Sequence, residues 1–258
     1  MLESPAVRAL LLALLAGLST LLGAVVVFVT KKKSERLITV SLGFAAGVML
    51  SVSFTDLFPS ARESLTLWAG TRPGVLLSVA ALAGGIALAW GIDQLVPHDD
   101  FDPAAGEAPH KNLFRVGFVS TLAIGLHNFP EGIATFMAGY EDVTLGFTIA
   151  AAIALHNIPE GISVAMPIWY ATGSRRRAFR YTLISGLAEP LGAVLAFLVL
   201  RPFINDLALG LLFGAVAGIM VYISVEELIP SSRQYGHDRA GLLATFAGVC
   251  LMPLTHLL

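Results

Sequence analysis

The stretch LHNFPEG at residues 126–132 returns as LHNIPEG at 155–161. Both copies lie inside long apolar runs, where a histidine, an asparagine and a glutamate are costly to place. A helix advances about 100° per residue. With the histidine at 0°, the glutamate four residues on falls near 40° and the asparagine near 100°, each figure being about what that rotation gives. All three share one face, and the glutamate stands between the other two. It can therefore share a cation with the imidazole on one side and with the amide on the other. The proline at the fourth position has no N–H to give to the carbonyl four residues earlier, which frees the oxygen of Leu126 or Leu155. The glycine after the glutamate admits a second backbone. Such an opened turn is tolerated in lipid only where it is buried in protein or lined by water.

The surrounding chain agrees with a membrane setting. Of 258 residues, 56% are hydrophobic and 13% are charged, against about 25% charged in soluble domains. Mean hydropathy is +0.78. A net charge of −2 gives no reason to expect nucleic acid or an acidic substrate, and the single cysteine, Cys250, excludes an internal disulfide framework. About 20 mostly apolar residues span a bilayer. Eight such segments are expected, at roughly 6–29, 37–59, 74–96, 114–137, 145–169, 178–200, 207–229 and 240–257. The first is longer than a signal-peptide core and reads as a retained span. The chain is one transmembrane domain, 1–258, with a polar loop at 97–112 that reads as flexible.

Basic residues orient these spans. The loops after spans 1, 3, 5 and 7 hold twelve of the 16 lysines and arginines, and the opposite side holds Arg8, Arg62, Arg72 and Arg201. The expectation is a multi-pass protein of the plasma membrane (the inner membrane, if the cell is bacterial). The twelve-residue side is cytoplasmic and both termini are outside.

Internal similarity gives the arrangement. GVMLSVSFTDLFPS (47–60) resembles GIMVYISVEELIPS (218–231), and AGLSTLLGAVVVF (16–28) resembles SGLAEPLGAVLAF (185–197). Matching segments lie five spans apart, an odd number, so the copies point in opposite directions. The fold class is an all-α polytopic membrane protein. Its eight transmembrane helices fall in a 3+2+3 arrangement with an inverted repeat, spans 1–3 related to 6–8 and span 4 to span 5. Inverted repeats suit alternating access.

Glu131, Glu160 and Glu189 all fall near the centres of their spans. A charged side chain there costs about 2.5–3.5 kcal/mol on the insertion scale, so three unpaired ones would cost on the order of 8–10 kcal/mol. No lysine or arginine lies at that depth, so the balancing charge is protons or a bound cation. Imidazole with carboxylate suits zinc, iron, manganese, cobalt or nickel, whereas all-oxygen sites suit magnesium and calcium.

On these residues the chain resembles the ZIP family of metal-ion transporters, in its compact ZupT-type branch. The resemblance covers nearly the whole chain: eight spans, outside termini, a polar loop between spans 3 and 4, and both HNxPEG motifs. It implies a secondary transporter, not an enzyme and not ATP-driven, carrying divalent ions into the cytoplasm. The cargo would be chiefly zinc, with iron, manganese, cobalt or cadmium as further cargo and no prosthetic group. It implies a metal site of His127, Glu131, His156 and Glu160. An adjoining second site would use Asn128, Asn157 and Glu189, with Glu131 and Glu160 bridging. It also implies that bundles of helices slide against one another. A homodimer is one assembly open to such a chain.

Further pathway candidates follow from position. Asp56 sits toward the outer end of span 2, Glu226 and Glu227 toward the inner end of span 7, and Met49 and Met220 are repeat-related near mid-membrane. Interfacial acids and gap-filling methionines are the plainer reading. His98, Asp99, Asp100, Asp102 and His110 in the polar loop read as an acidic, flexible segment. Two rival functions use the same chemistry. An intramembrane metal-dependent enzyme would need these ligands, although HExxH is absent. A metal exporter would need them equally.

Overall fold

The computed structural model describes residues 4–30, 33–95, 113–200 and 205–257, and the loop candidates at 97–112 lie outside these. Among the described residues there is no strand. Eight helical rods follow in chain order: α1 Pro5–Val29, α2 Glu35–Ala69, α3 Thr71–Leu95, α4 Leu113–Glu141, α5 Val143–Thr172, α6 Arg175–Val199, α7 Asp206–Arg233 and α8 Asp238–Leu251, the last tightening into a 3₁₀ turn, Met252–Leu257. Each coincides with one expected span. Six of them, all but α4 and α8, contain a stretch long and apolar enough to cross a membrane. The remaining two are α4, which carries Arg115, His127, Asn128 and Glu131 along its 29 residues, and α8, whose α-helical part has 14. The fold is that of a multi-pass, all-helical membrane protein.

Two helices run past the ends expected from their apolar runs, through a proline in each. α2 continues ten residues beyond Pro59, and α7 passes Pro230. In each, a five-residue π-helical turn ends two residues before the proline, Ser53–Leu57 in α2 and Ser224–Leu228 in α7. The Phe58 N–H reaches the Ser53 carbonyl and the Ile229 N–H reaches the Ser224 carbonyl, the same five-residue reach in both. A widened turn absorbs the missing proline donor and lets the rod go on. Asp56 and Glu227 occupy the same position in the two turns.

Helix ends carry ordinary signals. Asn205 caps α7 by accepting from the Ala208 N–H at 2.9 Å, and Ser174 caps α6 by accepting from the Arg177 N–H at 3.3 Å. Gly70 (φ +83°), Gly173 (φ +67°) and Gly236 (φ +72°) turn the chain between helices in the left-handed region that side chains resist.

Packing does not follow chain order. α1, α4, α5 and α6 pack closely on one another, and α2, α3, α7 and α8 form a second group through α2–α8, α3–α7, α2–α3 and α2–α7 contacts. The two bundles meet mainly where α2 touches α5 and where α4 touches α7. Within the first bundle, glycines permit backbone crossings. A Cβ on Gly132 would stand 1.8 Å from the Glu189 carbonyl oxygen, and one on Gly161 would stand 1.9 Å from that of Thr20. Those glycines close the two HNxPEG motifs, and Thr20 and Glu189 align in the sequence repeat. The second backbone that the motif glycine was expected to admit is present at both copies.

Candidate metal centre

The crossings of α4 with α6 and of α5 with α1 bring both motifs face to face at the centre of the first bundle. His127, Asn157, Glu160 and Glu189 are fully buried, and Glu131 and His156 are 4% and 6% exposed. The His127 Nε2 lies 3.1 Å from the Glu131 Oε1 and 3.2 Å from the Glu160 Oε1. The His156 Nε2 lies 2.8 Å from the same Glu131 oxygen. The imidazole centroids are 6.1 Å apart. Ligand atoms of His127, His156 and Glu160 all fall within 4.8 Å of one another.

The asparagines fix the flanks. Asn157 donates through Nδ2 to the Glu189 Oε2 at 2.8 Å and to the Ala16 carbonyl at 2.9 Å. Asn128 donates to the Ser185 carbonyl at 3.2 Å. Ala16 and Ser185 align in the sequence repeat, so the two amides are held alike by α1 and α6. With their N–H groups so used, their carbonyl oxygens turn elsewhere. Asn128 Oδ1, Asn157 Oδ1, Glu131 Oε2, Glu160 Oε2 and Glu189 Oε1 find no hydrogen-bond donor, and Glu160 Oε1 has only the His127 ring nitrogen beside it, though all are buried. Buried polar atoms normally have partners. Five buried acceptors without donors, and a sixth with only an imidazole beside it, call for a positive charge.

His127, Glu131, His156 and Glu160 thus meet in one cluster, Asn157 pairs with Glu189, and Asn128 is held against α6; the seven come from three helices. The pathway candidates separate. Asp56 lines a cavity of about 380 Å³ between the bundles, with Glu131, His156, Met137, Leu209 and Met252. The cavity runs from the polar cluster toward the ends of α4 and α7 that face away from the basic loops. Met49 and Met220 are buried in the main hydrophobic cluster, away from that lining. Glu226 is exposed, while Glu227 is buried and paired with Arg115 at 2.6 Å.

Three residues escaped the sequence reading. Arg115 figured only as an orientation signal, yet it also pairs with Asp93, whose other oxygen accepts from the Tyr222 hydroxyl at 3.1 Å. Asp93 in AWGIDQL was the available clue, because an acid in an apolar run needs a partner. Tyr170 accepts from the Ser34 N–H at 2.6 Å and donates to the Ser34 carbonyl at 2.7 Å, which no local pattern announces.

An all-helical, multi-pass fold with an acceptor-lined, imidazole-bearing cluster at mid-bundle and an inter-bundle cavity leading to it defines the class of membrane metal transporters. Comparison with known proteins gives the family. The family described as "ZIP Zinc transporter" matches residues 97–255. The chain is 44% identical to the Zinc transporter ZupT of Streptococcus mutans over 262 residues, covering 97% of both chains. It is 45% identical to the proteins of that name from Oceanobacillus iheyensis and Chlorobium luteolum, again over 97% of each chain. The chain belongs to the ZIP family. Its members are transporters, so the reading as an intramembrane enzyme falls away.

Proposed function

We propose that this protein is a secondary transporter that moves divalent transition-metal ions, zinc first, into the cytoplasm through the buried cluster. The observation that carries the reading is the surplus of acceptors: six buried oxygens with no donor beyond the two imidazoles beside them. A divalent cation neutralises them where no lysine or arginine does. The relatives' name, zinc transporter, supports zinc as cargo, and iron, manganese, cobalt and cadmium share the ligand preferences.

One ion is held by His127, Glu131, His156 and Glu160. A second is held by Asn128, Asn157 and Glu189, with Glu131 and Glu160 bridging. Zinc enters by the cavity, past Asp56, where an acid in a narrow low-dielectric mouth raises local cation concentration. Zinc then displaces the His156–Glu131 contact, and the ring nitrogens and carboxylates become its ligands. Each dry, preformed ligand replaces a water lost on entry.

Movement follows from an inverted repeat. Its support is the pairing of Gly132 with Glu189 against Gly161 with Thr20, of Asn128 with Ser185 against Asn157 with Ala16, and of the two π turns. All eight rods cross the membrane, and the basic loops lie in the cytoplasm. The first bundle, which owns the cluster, shifts against the second and exposes the ion on the other side.

Flux of zinc, iron, manganese and cobalt into proteoliposomes, with and without a pH gradient, tests this. Saturable zinc uptake directed toward the basic side is expected. Flux only in the opposite direction would make the protein an exporter, and no flux of any of these metals would refute the reading.

A further inference from the structure

The two bundles are joined by two polar clasps, and both lie at the end that carries the basic loops. In the first, Arg115 at the start of α4 reaches from the cluster-bearing bundle into the other. Its guanidinium pairs with Asp93 near the end of α3 and, at 2.6 Å, with Glu227 in the π turn of α7. Tyr222 of α7 donates to the other Asp93 oxygen. The three charged side chains are 4–15% exposed, so the pairs are screened little by solvent. In the second clasp, the Tyr170 hydroxyl near the end of α5 is bonded to both the N–H and the carbonyl of Ser34, just before α2. Lys33 donates to the Tyr170 carbonyl at 2.8 Å and sits over its ring. Tyr235, on the turn between α7 and α8, lies buried beside them. Burial pushes its hydroxyl above the ordinary value, and the nearby Tyr170 and Glu35 push the same way.

The space between the bundles is uneven along its length. On the side away from the clasps the cavity reaches Glu131 and His156 and holds about 380 Å³. On the clasp side, the seam between α3, α4 and α7 holds about 20 Å³, lined by Ala89, Ala123, Leu126 and Ile223 among others. Ala123 is one turn before His127 on α4. The cavity thus reaches the cluster from the side away from the clasps, while the seam on the clasp side is narrow.

The geometry points to Arg115–Asp93–Glu227 and Tyr170–Ser34 as a two-point inner gate, which holds the bundles together at the basic end while the cluster faces the opposite cavity, and which opens when the bundles slide. The guanidinium suits the role. It shares its one positive charge between two buried acids while the gate is shut, and it leaves with its own bundle when the gate opens. The hydroxyl of Tyr170 grips backbone atoms, so it specifies one register of α5 against α2 and is lost on sliding. This inference rests on the transport reading for its purpose, but its labelling test requires no cargo.

The test places one reporter cysteine, Ala123→Cys, in a Cys250→Ser background. A membrane-impermeant maleimide is applied from the basic side in proteoliposomes. Labelling is expected to be slow with the gate intact, and at least about tenfold faster when Arg115→Gln or Tyr170→Phe is added. Tyr170→Phe keeps the ring and loses only the hydroxyl, so it covers the case in which Arg115→Gln does not fold. In the same background, Ser34→Cys with Tyr170→Cys, bridged by a short reducible linker, is expected to stop zinc flux until the linker is cleaved. Labelling unchanged in a folded Tyr170→Phe protein, or full flux through the bridged protein, would overturn the gate. Absence of flux in the unmodified protein would instead count against the transport reading and leave the labelling result to stand.

Discussion

Glu131 contacts both imidazoles, and Glu160 faces His127 and contributes a second oxygen without a donor, so these two residues carry most of the proposed chemistry. Losing a residue that merely orients a ligand costs about 10–100-fold in metal affinity. Losing a bridging carboxylate costs at least the upper part of that range, so Glu131→Ala and Glu160→Ala should each reduce zinc uptake about a hundredfold while the protein still inserts. Radiotracer uptake normalised to reconstituted protein checks this. Bound zinc needs ionised carboxylates and neutral imidazoles. Zinc binding should therefore release protons and tighten as pH rises from about 5 to 8, which calorimetry in buffers of different ionisation enthalpy measures. The motif glycine gives a structural prediction with its own control on the same helix. Gly132→Ala puts a methyl 1.8 Å from a backbone oxygen of α6, whereas a Cβ on Gly125 meets nothing within 4 Å. Overpacking of this kind costs about 1–3 kcal/mol, so Gly132→Ala should lower the melting temperature in detergent and Gly125→Ala should not. At this scale the sequence was most informative. His127, Glu131, His156 and Glu160 announced themselves by cost, since polar groups at mid-span must be satisfied. Glu189 was legible for the same reason. The surplus acceptors were not, because that depends on which way each amide turns.

At the scale of elements, the positions of the eight rods were legible from apolar runs, and their ends were not. The apolar runs end beside Pro59 and Pro230, at 59 and 229, and an ordinary helix would lose a ladder bond at each proline. The π turns before them supply the slack, and their formation depends on packing between the rods. Capping behaves more locally. Asn205 accepts from the Ala208 N–H, and replacing an N-cap with alanine costs about 1 kcal/mol. Asn205→Ala should therefore lower the melting temperature by a few degrees and leave zinc affinity unchanged, because α7 contributes no ligand to the cluster. A change in affinity would tie α7 to the site more closely than the contacts indicate.

The whole molecule divides into two bundles, α1 with α4, α5 and α6, and α2 with α3, α7 and α8. Chain order and the 3+2+3 pattern of similarity do not reveal this division, because it is a matter of which apolar faces meet in space. Arg115 illustrates the limit. As a basic residue near a helix end it told only of orientation, and its partners Asp93 and Glu227 come from two other helices of the second bundle. The division matters because it places the whole cluster in one bundle, so that under the proposed function the ion would travel with its ligands. It also places the cavity and the clasps at opposite ends of the seam between the bundles. The central claim is that a divalent ion rests among His127, Glu131, His156 and Glu160 while it crosses. Crystals soaked in zinc and measured at its absorption edge test this most directly. The account predicts an anomalous peak about 2.0–2.2 Å from ring nitrogens and carboxylate oxygens of these residues, lost in Glu131→Ala with Glu160→Ala. A zinc-loaded crystal with its anomalous peaks elsewhere, and none beside α4 and α5, would contradict it.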